Sequence, residues 1–512
     1  MAERWKTLKL ALEGGLIENE DLLMQSEARP GSGVQLINFE PGLKGGYRRI
    51  NGYSPFLTLV GALNGGPMLG VFVFNGKVIA CRGENIRVSE GADWSLPLNP
   101  SPIVGAGKYR AAKYNFASPT IMLVDGTNHP HRYQPDGDGY TSVTAAPTGA
   151  KCIAEFRQHI FLGIGTSLFF SQPTDDTGWS ALLGAGEINV GEEIVNIFPF
   201  RDELYIFCEN QIHKLTGDSY LNFQLIPVTK NIGCSAPDSI QEIGGNVVFL
   251  GPDGLRPIAA TDRNNDVEIG SISRAIQQKL TNLTEQYGPD AVSAVVVREK
   301  SQYRIWASDS GVLPEDAFGI LGGLRRREDN SVAYEWSEIK GFQPACVDSG
   351  YIGDEEYVIH GDYYGNVYRQ EVGYGIYSGG NPFGLEAVFQ TPYLTFGDPT
   401  IRKTMYKIDV YIDFEDSQVG QITLNLLYDY NENGVLQPAT ITINGTDADY
   451  YFDDNAYFNA GGTRFADVAA TVIRKNLIGS GRSVSFKFSS DNSHPPYTIR
   501  SFVIQYNVGG RR

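Results

Sequence analysis

Six histidines, five cysteines and 59 acidic side chains are the groups from which a catalytic or metal-binding site would be built. His129, His131, His159, His213, His360 and His494 are scattered, and only His129 and His131 are near neighbours, flanking Pro130 in an expected loop. Zinc needs three or four donors at clear spacing, so this pair reads as structural or solvent-facing. Cys81, Cys152, Cys208, Cys234 and Cys346 are odd in number and include no C-x-x-C pair, which makes them expected buried free thiols. Asp262-x-Asn264-x-Asp266 and Asp429-x-Asn431-x-Asn433-Gly434 open like calcium loops. The first lacks the glycine at the sixth position, and the second has Thr440 where a bidentate glutamate belongs. Turns rich in Asn and Asp form without metal. Asp175-Asp176 and Asp453-Asp454 bring the carboxyl pairs that glycoside cleavage uses, but adjacency in sequence does not set the separation of about 5 to 10 Å that it requires. No G-x-S-x-G, H-E-x-x-H or G-x-x-x-x-G-K-[ST] is present, and Gly42-Leu43-Lys44-Gly45-Gly46 precedes a β pattern, so it reads as a turn. No catalytic residue, cofactor or metal ligand is assigned, and no enzymatic activity is expected.

The elements that would have to position any such groups follow from composition. The chain has 42% hydrophobic and 20% charged residues, which excludes wholesale disorder. Its 59 Gly and 26 Pro, without a G-X-Y period, predict many short strands separated by turns. At roughly 150 residues per domain the 512 residues allow two to four domains, fewer for an all-β chain. Against 59 acidic residues stand 42 basic ones, a net charge of −17, the wrong sign for gripping phosphates by counterion release. A negative surface would still let a duplex slide past without adhering. The N-terminus carries no signal-peptide pattern, and apolar runs such as Ala294-Val295-Val296-Val297 fall far short of the roughly 20 residues of a membrane span.

The dominant feature is a recurrence. Phe74-Asn75-Gly76-Lys77-Val78-Ile79 with Ile86, Phe156-Arg157-Gln158-His159-Ile160-Phe161 with Leu168, Phe200-Arg201-Asp202-Glu203-Leu204-Tyr205 with Ile212, and Ile243-Gly244-Gly245-Asn246-Val247-Val248 with Leu255 share one spacing of apolar anchors. Each predicts strand, tight turn, strand, turn, strand, with Asn75-Gly76 and Gly244-Gly245 placed for primed hairpin turns. Ser89 followed by Asp93-Trp94, and Ser171 followed by Asp175, Asp176 and Trp179, extend two copies. Looser relatives lie at Pro119–Gly126, at Tyr303–Trp306 followed by Tyr334–Trp336, and at Tyr357–Asp362. About seven units of roughly 50 residues predict the four-stranded blades of a β-propeller. Val34-Gln35-Leu36-Ile37 is expected to close the ring by joining the last blade, and Ser271 to Leu283 to be a helical insertion between blades.

Residues 1–32 read as an N-terminal arm with helical character at Trp5–Leu12, and 33–378 as the propeller. Near Ser378-Gly379-Gly380-Asn381-Pro382 the recurrence stops. Beyond it Lys407–Phe414, Gln421–Leu426, Ser483–Phe488 and Tyr497–Tyr506 alternate with period two, which predicts a β-sandwich over 379–512. The closing Arg511-Arg512 reads as a solvated end or a grip on an acidic partner.

Gln35-Leu36-Ile37-Asn38-Phe39-Glu40 through Gly45-Gly46-Tyr47-Arg48-Arg49-Ile50-Asn51-Gly52-Tyr53 resembles the opening of propeller proteins found in the short tails of bacteriophages. His360-Gly361-Asp362-Tyr363-Tyr364-Gly365-Asn366-Val367-Tyr368 is similar to that family's last blade. Gln390-Thr391-Pro392-Tyr393-Leu394 with Gly397-Asp398-Pro399 and Lys403, then Pro495-Pro496-Tyr497-Thr498-Ile499 and the Gly-Gly-Arg-Arg end, are similar to its junction and sandwich. The resemblance, spanning about 33 to 512, implies a structural tail nozzle or hub that forms a ring of six beneath the portal and adaptor. It implies adaptor and portal-proximal partners, tail fibres among the further ones, and genomic DNA passing through without specific binding. The implied place is the virion tail, assembled in the host cytoplasm. A glycan-binding or glycan-cleaving propeller is the alternative, its carboxylates lining one end of the central channel; Ser89–Trp94 and Ser171–Trp179 are faintly similar to the Asp-box turn of sialidases. A receptor-binding adhesin is the third reading.

Overall fold

The recurring anchors fall where a blade needs them. Phe74, Phe156, Phe200 and Ile243 each end the innermost strand of a small antiparallel sheet, and the next anchors begin its second strand. All four are buried, as are Val78 and Ile79, Ile160 and Phe161, Leu204 and Tyr205, and Val247 and Val248. Ile86, Leu168, Ile212 and Leu255, in the third strands, are fully buried. Asn75 and Gly76, and Gly244 and Gly245, have the positive φ of primed turns. Arg157 and Gln158 adopt the same conformation, at φ 50° and 64°, without a glycine.

The computed structural model describes residues 5–57, 66–95, 103–135, 139–258, 272–313, 316–326, 332–378, 381–416, 419–432, 434–447 and 472–509. It divides into two units, one of Ser54–Gly319 and Phe342–Gln370, the other of Met1–Tyr53, Ile320–Gly341 and Glu371–Arg512.

The first unit is a β-propeller. Its first blade is Gly70–Phe74, Lys77–Arg82, Asn85–Glu90 and Asp93–Trp94, and its second Arg110–Asn115, Pro119–Val124, His131–Gln134 and Gly139–Ser142. The third is Cys152–Phe156, His159–Ile164, Ser167–Phe170 and Gly186–Asn189, and the fourth Ile194–Phe200, Glu203–Cys208, Ile212–Thr216 and Gln224–Thr229. The fifth has three strands, Gln241–Ile243, Asn246–Gly251 and Gly254–Pro257. The sixth is Cys346–Ile352, Glu355–Gly361 and Val367–Gln370, completed by Tyr53–Pro55 from far upstream. Buried side chains of adjacent blades pack together, as Phe161 and Leu168 of the third do with Leu204 and Ile206 of the fourth.

Several expectations are corrected. Six sheets stand as separate blades, not about seven: Val292–Val297 and Gln302–Ala307 pair with each other outside these six sheets. The ring is closed by Tyr53–Pro55, whereas Gln35–Ile37 pairs with Asn381–Gln390 in the other unit. The expected insertion is the helix Gln277–Tyr287, reached through a 3-10 turn at Arg274–Ile276. Trp5–Leu12 is not helical: Lys6–Ala11 is a strand antiparallel to Tyr497–Val508, with Lys6 opposite Tyr506. Leu10 and Leu12 are buried and Leu8 partly so, a period of two set by the sheet edge they join. Residues 1–53 and 320–341 cluster with 371–512, so the boundaries at 32 and 378 do not delimit the compact units.

That second unit holds two sheets. One runs Phe39–Pro41, Tyr47–Arg49, Tyr497–Val508, Lys403–Phe414, Val472–Asn476; the other includes Gln35–Ile37, Asn381–Gln390, Val484–Asn492, Gln421–Tyr428 and Ile441–Asn444. Burial alternates along Lys403–Phe414 and Tyr497–Val508, as period-two strands require. Phe486 and Phe488 of one sheet meet Phe502 of the other at ring distances of 5.3 and 5.6 Å.

Candidate functional site: the axial cavity

Propellers concentrate their innermost strands around an axis, and here those strands line an open-mouthed cavity of about 350 Å³. Each of the six blades contributes to its wall, and so do Ser293 and Ala294 of the additional strand pair. Most inner-strand side chains are small or apolar, among them Val71, Ala112, Ala154 and Ile197, but the stretch leading into the second blade carries Lys108, Arg110 and Lys113.

These three cations reach to other parts of the ring. Arg110 grips Asp238 with two parallel bonds, Nε to Oδ1 at 2.7 Å and Nη2 to Oδ2 at 3.1 Å. The Lys108 ammonium lies 2.9 Å from Asp238 Oδ2 and also donates to the Val292 carbonyl and to Ser293 Oγ, at 2.9 and 3.0 Å. Lys113 donates to Asp348 Oδ2 at 2.7 Å, and the Val73 amide donates to the same oxygen at 2.8 Å. Asp238 sits in a 3-10 turn, Pro237–Ser239, whose first position is the proline that favours such a start. Burial of Asp238 alone would raise its pKa, but Arg110 and Lys108 outweigh it and hold the carboxyl well below the usual carboxylate range. The Arg110 guanidinium is in turn raised by Asp238 against the effect of its own burial.

Such an arrangement holds its charges in place. A general acid must carry a proton near neutral pH, and Asp238 is fixed in the ionised form. Lining this cavity, Asn196 donates to the Pro237 carbonyl and Gln241 to that of Ala294, so further polar groups are committed to the wall. A cavity of about 350 Å³ is of the size that holds a small molecule, about 300 to 1,000 Å³, and is far too small to hold a duplex.

The residues singled out from sequence lie elsewhere. His131 is buried on a strand of the second blade, and His129 Nδ1 is 2.8 Å from the Ala146 carbonyl. Among the described residues no three His, Cys, Asp or Glu side chains are grouped to hold a metal ion. Asp262–Asp266 and Asp453-Asp454 lie outside the described residues, as does Asn433. Asp429 Oδ1 accepts the amides of Arg482 and Ser483 at 2.6 and 3.1 Å, so the loop's first carboxylate is spent on backbone. Asp175 caps its own turn at Thr177, and Asp176 accepts from Tyr114 Oη and Arg132 Nη1 at 2.5 and 2.9 Å. Ser89 and Ser171 accept the amides of Val78 and Ile160, both at 2.9 Å and both eleven residues back, so the extended repeat is a recurring turn. All five cysteines are buried and free, and burial pushes the Cys152 thiol up to about 12. Gly45 and Gly46 have positive φ in the turn between Phe39–Pro41 and Tyr47–Arg49.

Sequence reading missed the cavity residues altogether. The available signal was Lys108-x-Arg110-x-x-Lys113, three cations within six residues at the start of a strand.

No known family model matches the sequence, and no curated protein does. Among solved structures, the extracellular domain of the putative one component system BT4673 from B. thetaiotaomicron is similar at 9% identity and a TM-score of 0.40, over 62% of this chain. The match spans 39% of that longer chain. The AfRom2 CNH domain is similar at 10% identity and a TM-score of 0.37, over 63% of this chain and 98% of its own.

Proposed function

We propose that this chain is a non-enzymatic structural subunit of a short bacteriophage tail, a nozzle or hub, which forms a ring with copies of itself around a conduit for genome ejection. Six copies are the expected ring. The motifs of its opening, last blade and junction support the family reading. The observation that carries the structural role is the constricted axis: Arg110 and Lys113 of one strand tie Asp238 and Asp348 beside a cavity of about 350 Å³, too small to hold a duplex. DNA would therefore pass between copies of the chain, where the net charge of −17 disfavours adhesion. In this reading the second unit is a β-sandwich, with Phe486, Phe488 and Phe502 in its core, and it meets the adaptor, portal-proximal proteins or tail fibres.

The glycan-cleaving alternative needs a carboxyl that keeps its proton, and the cation-bound Asp238 is unsuited to it. Sedimentation and negative-stain microscopy of the purified chain test the proposal, together with gold labelling of the chain on particles. Closed rings with an open centre, and label on the tail axis, are expected. A monomer that binds or cleaves glycans, or label confined to the tail periphery, would overturn it.

A further inference from the structure

Five of the six histidines belong to the propeller unit, and four of them are built into different blades. His131 is on the third strand of the second blade, His159 on the second strand of the third, His213 on the third strand of the fourth, and His360 on the second strand of the sixth. His131, His159 and His360 are 2%, 1% and 1% exposed. Both ring nitrogens of His131 and of His213 are buried without a hydrogen-bond partner. His159 Nδ1 donates to the Ser171 carbonyl, and Phe161, Phe170, Tyr220 and Phe223 surround its ring. His360 Nδ1 faces the Gln370 amide, with Phe342 and Tyr368 beside it.

We propose that the propeller unit is an acid-sensitive element, in which these four imidazoles resist protonation inside the closed blades and take up protons only where the blades open, so that mild acid loosens the blades before it affects the other unit. The charged groups near each histidine are few. Asp125 attracts a proton to His131 and His129 opposes it; Glu155 attracts one to His159 and Glu192 one to His213. In every case burial prevails and the pKa is lowered, to about 3 for His360. A histidine lowered on folding contributes no penalty well above the unfolded value of about 6.5, and costs stability progressively as pH falls below it. Four such groups act in the same direction. The second unit carries a single histidine, His494.

Hydrogen exchange of the full chain at pH 7.5 and 5.0, corrected for intrinsic rates, reads this directly. At pH 5.0 protection of Pro119–Val124, His159–Ile164, Glu203–Cys208 and Glu355–Gly361 is expected to fall about 10-fold or more, while that of Lys403–Phe414 and Tyr497–Val508 changes less than about 3-fold. Combining His131→Phe, His159→Asn, His213→Gln and His360→Phe should remove the difference. Should that variant not fold, NMR titration of the four imidazoles in the unaltered chain decides: midpoints below about 5.5 support the proposal, and midpoints near 6.5 overturn it. Equal loss in both units, no loss, or an undiminished response in the folded variant would also overturn it.

Discussion

Arg49 and Arg110 solve the same problem in opposite ways. Arg110 meets a carboxylate, and the pair survives burial because both charges are compensated. Arg49, 1% exposed, binds neutral acceptors instead: the carbonyls of Tyr374, Leu385, Asn492 and His494 and the Asn492 side chain. Burial lowers its pKa, though it remains a cation. Two predictions belong at this scale. Asp238→Asn leaves Arg110 and Lys108 without their counter-charge and should cost about 3 kcal/mol in urea unfolding. Because the Asp238 pKa is depressed on folding, its contribution is present above the unfolded value of about 3.9 and is lost only as pH falls further. The difference between Asp238→Asn and the unaltered chain should therefore stay flat from about pH 5 to 8. Arg49→Met strands several carbonyls and should cost about 2 to 4 kcal/mol by the same measurement.

Elements were legible in proportion to how local their causes are. The blade hairpins could be placed because the anchors and turns lie within thirteen consecutive positions, and Asn75-Gly76 announces its own backbone. Arg157-Gln158 was recognisable only by spacing, since its left-handed residues are imposed by the blade around it. Replacing that pair by Asn-Gly should raise stability by about 1 kcal/mol, read as a higher denaturation midpoint at unchanged slope. Ser171→Ala removes a buried acceptor from the Ile160 amide and should cost about 1 to 2 kcal/mol in the same assay. Where partners are distant, sequence failed: Lys6–Ala11 is a strand only because residues 501–506 are there to receive it. The axial cations were equally hidden, because Lys113 and Asp348 are 235 positions apart.

At the level of the molecule, each unit is assembled from separated segments of chain, and Ser54–Gly319 lacks the strands Cys346–Ile352, Glu355–Gly361 and Val367–Gln370. A fragment of residues 54–319 should consequently fail to give a cooperative thermal transition, whereas the full chain should melt cooperatively in calorimetry. The pairing of Tyr53–Pro55 with Val367–Gln370 also bears on synthesis. About 300 further residues must be translated after the closing strand before its partner exists, a delay on the order of 15 to 60 s at about 5–20 residues per second. For that interval the nascent chain presents incomplete sheets to the crowded cell, so slowing the ribosome late in the message should increase dependence on chaperones that shield such edges.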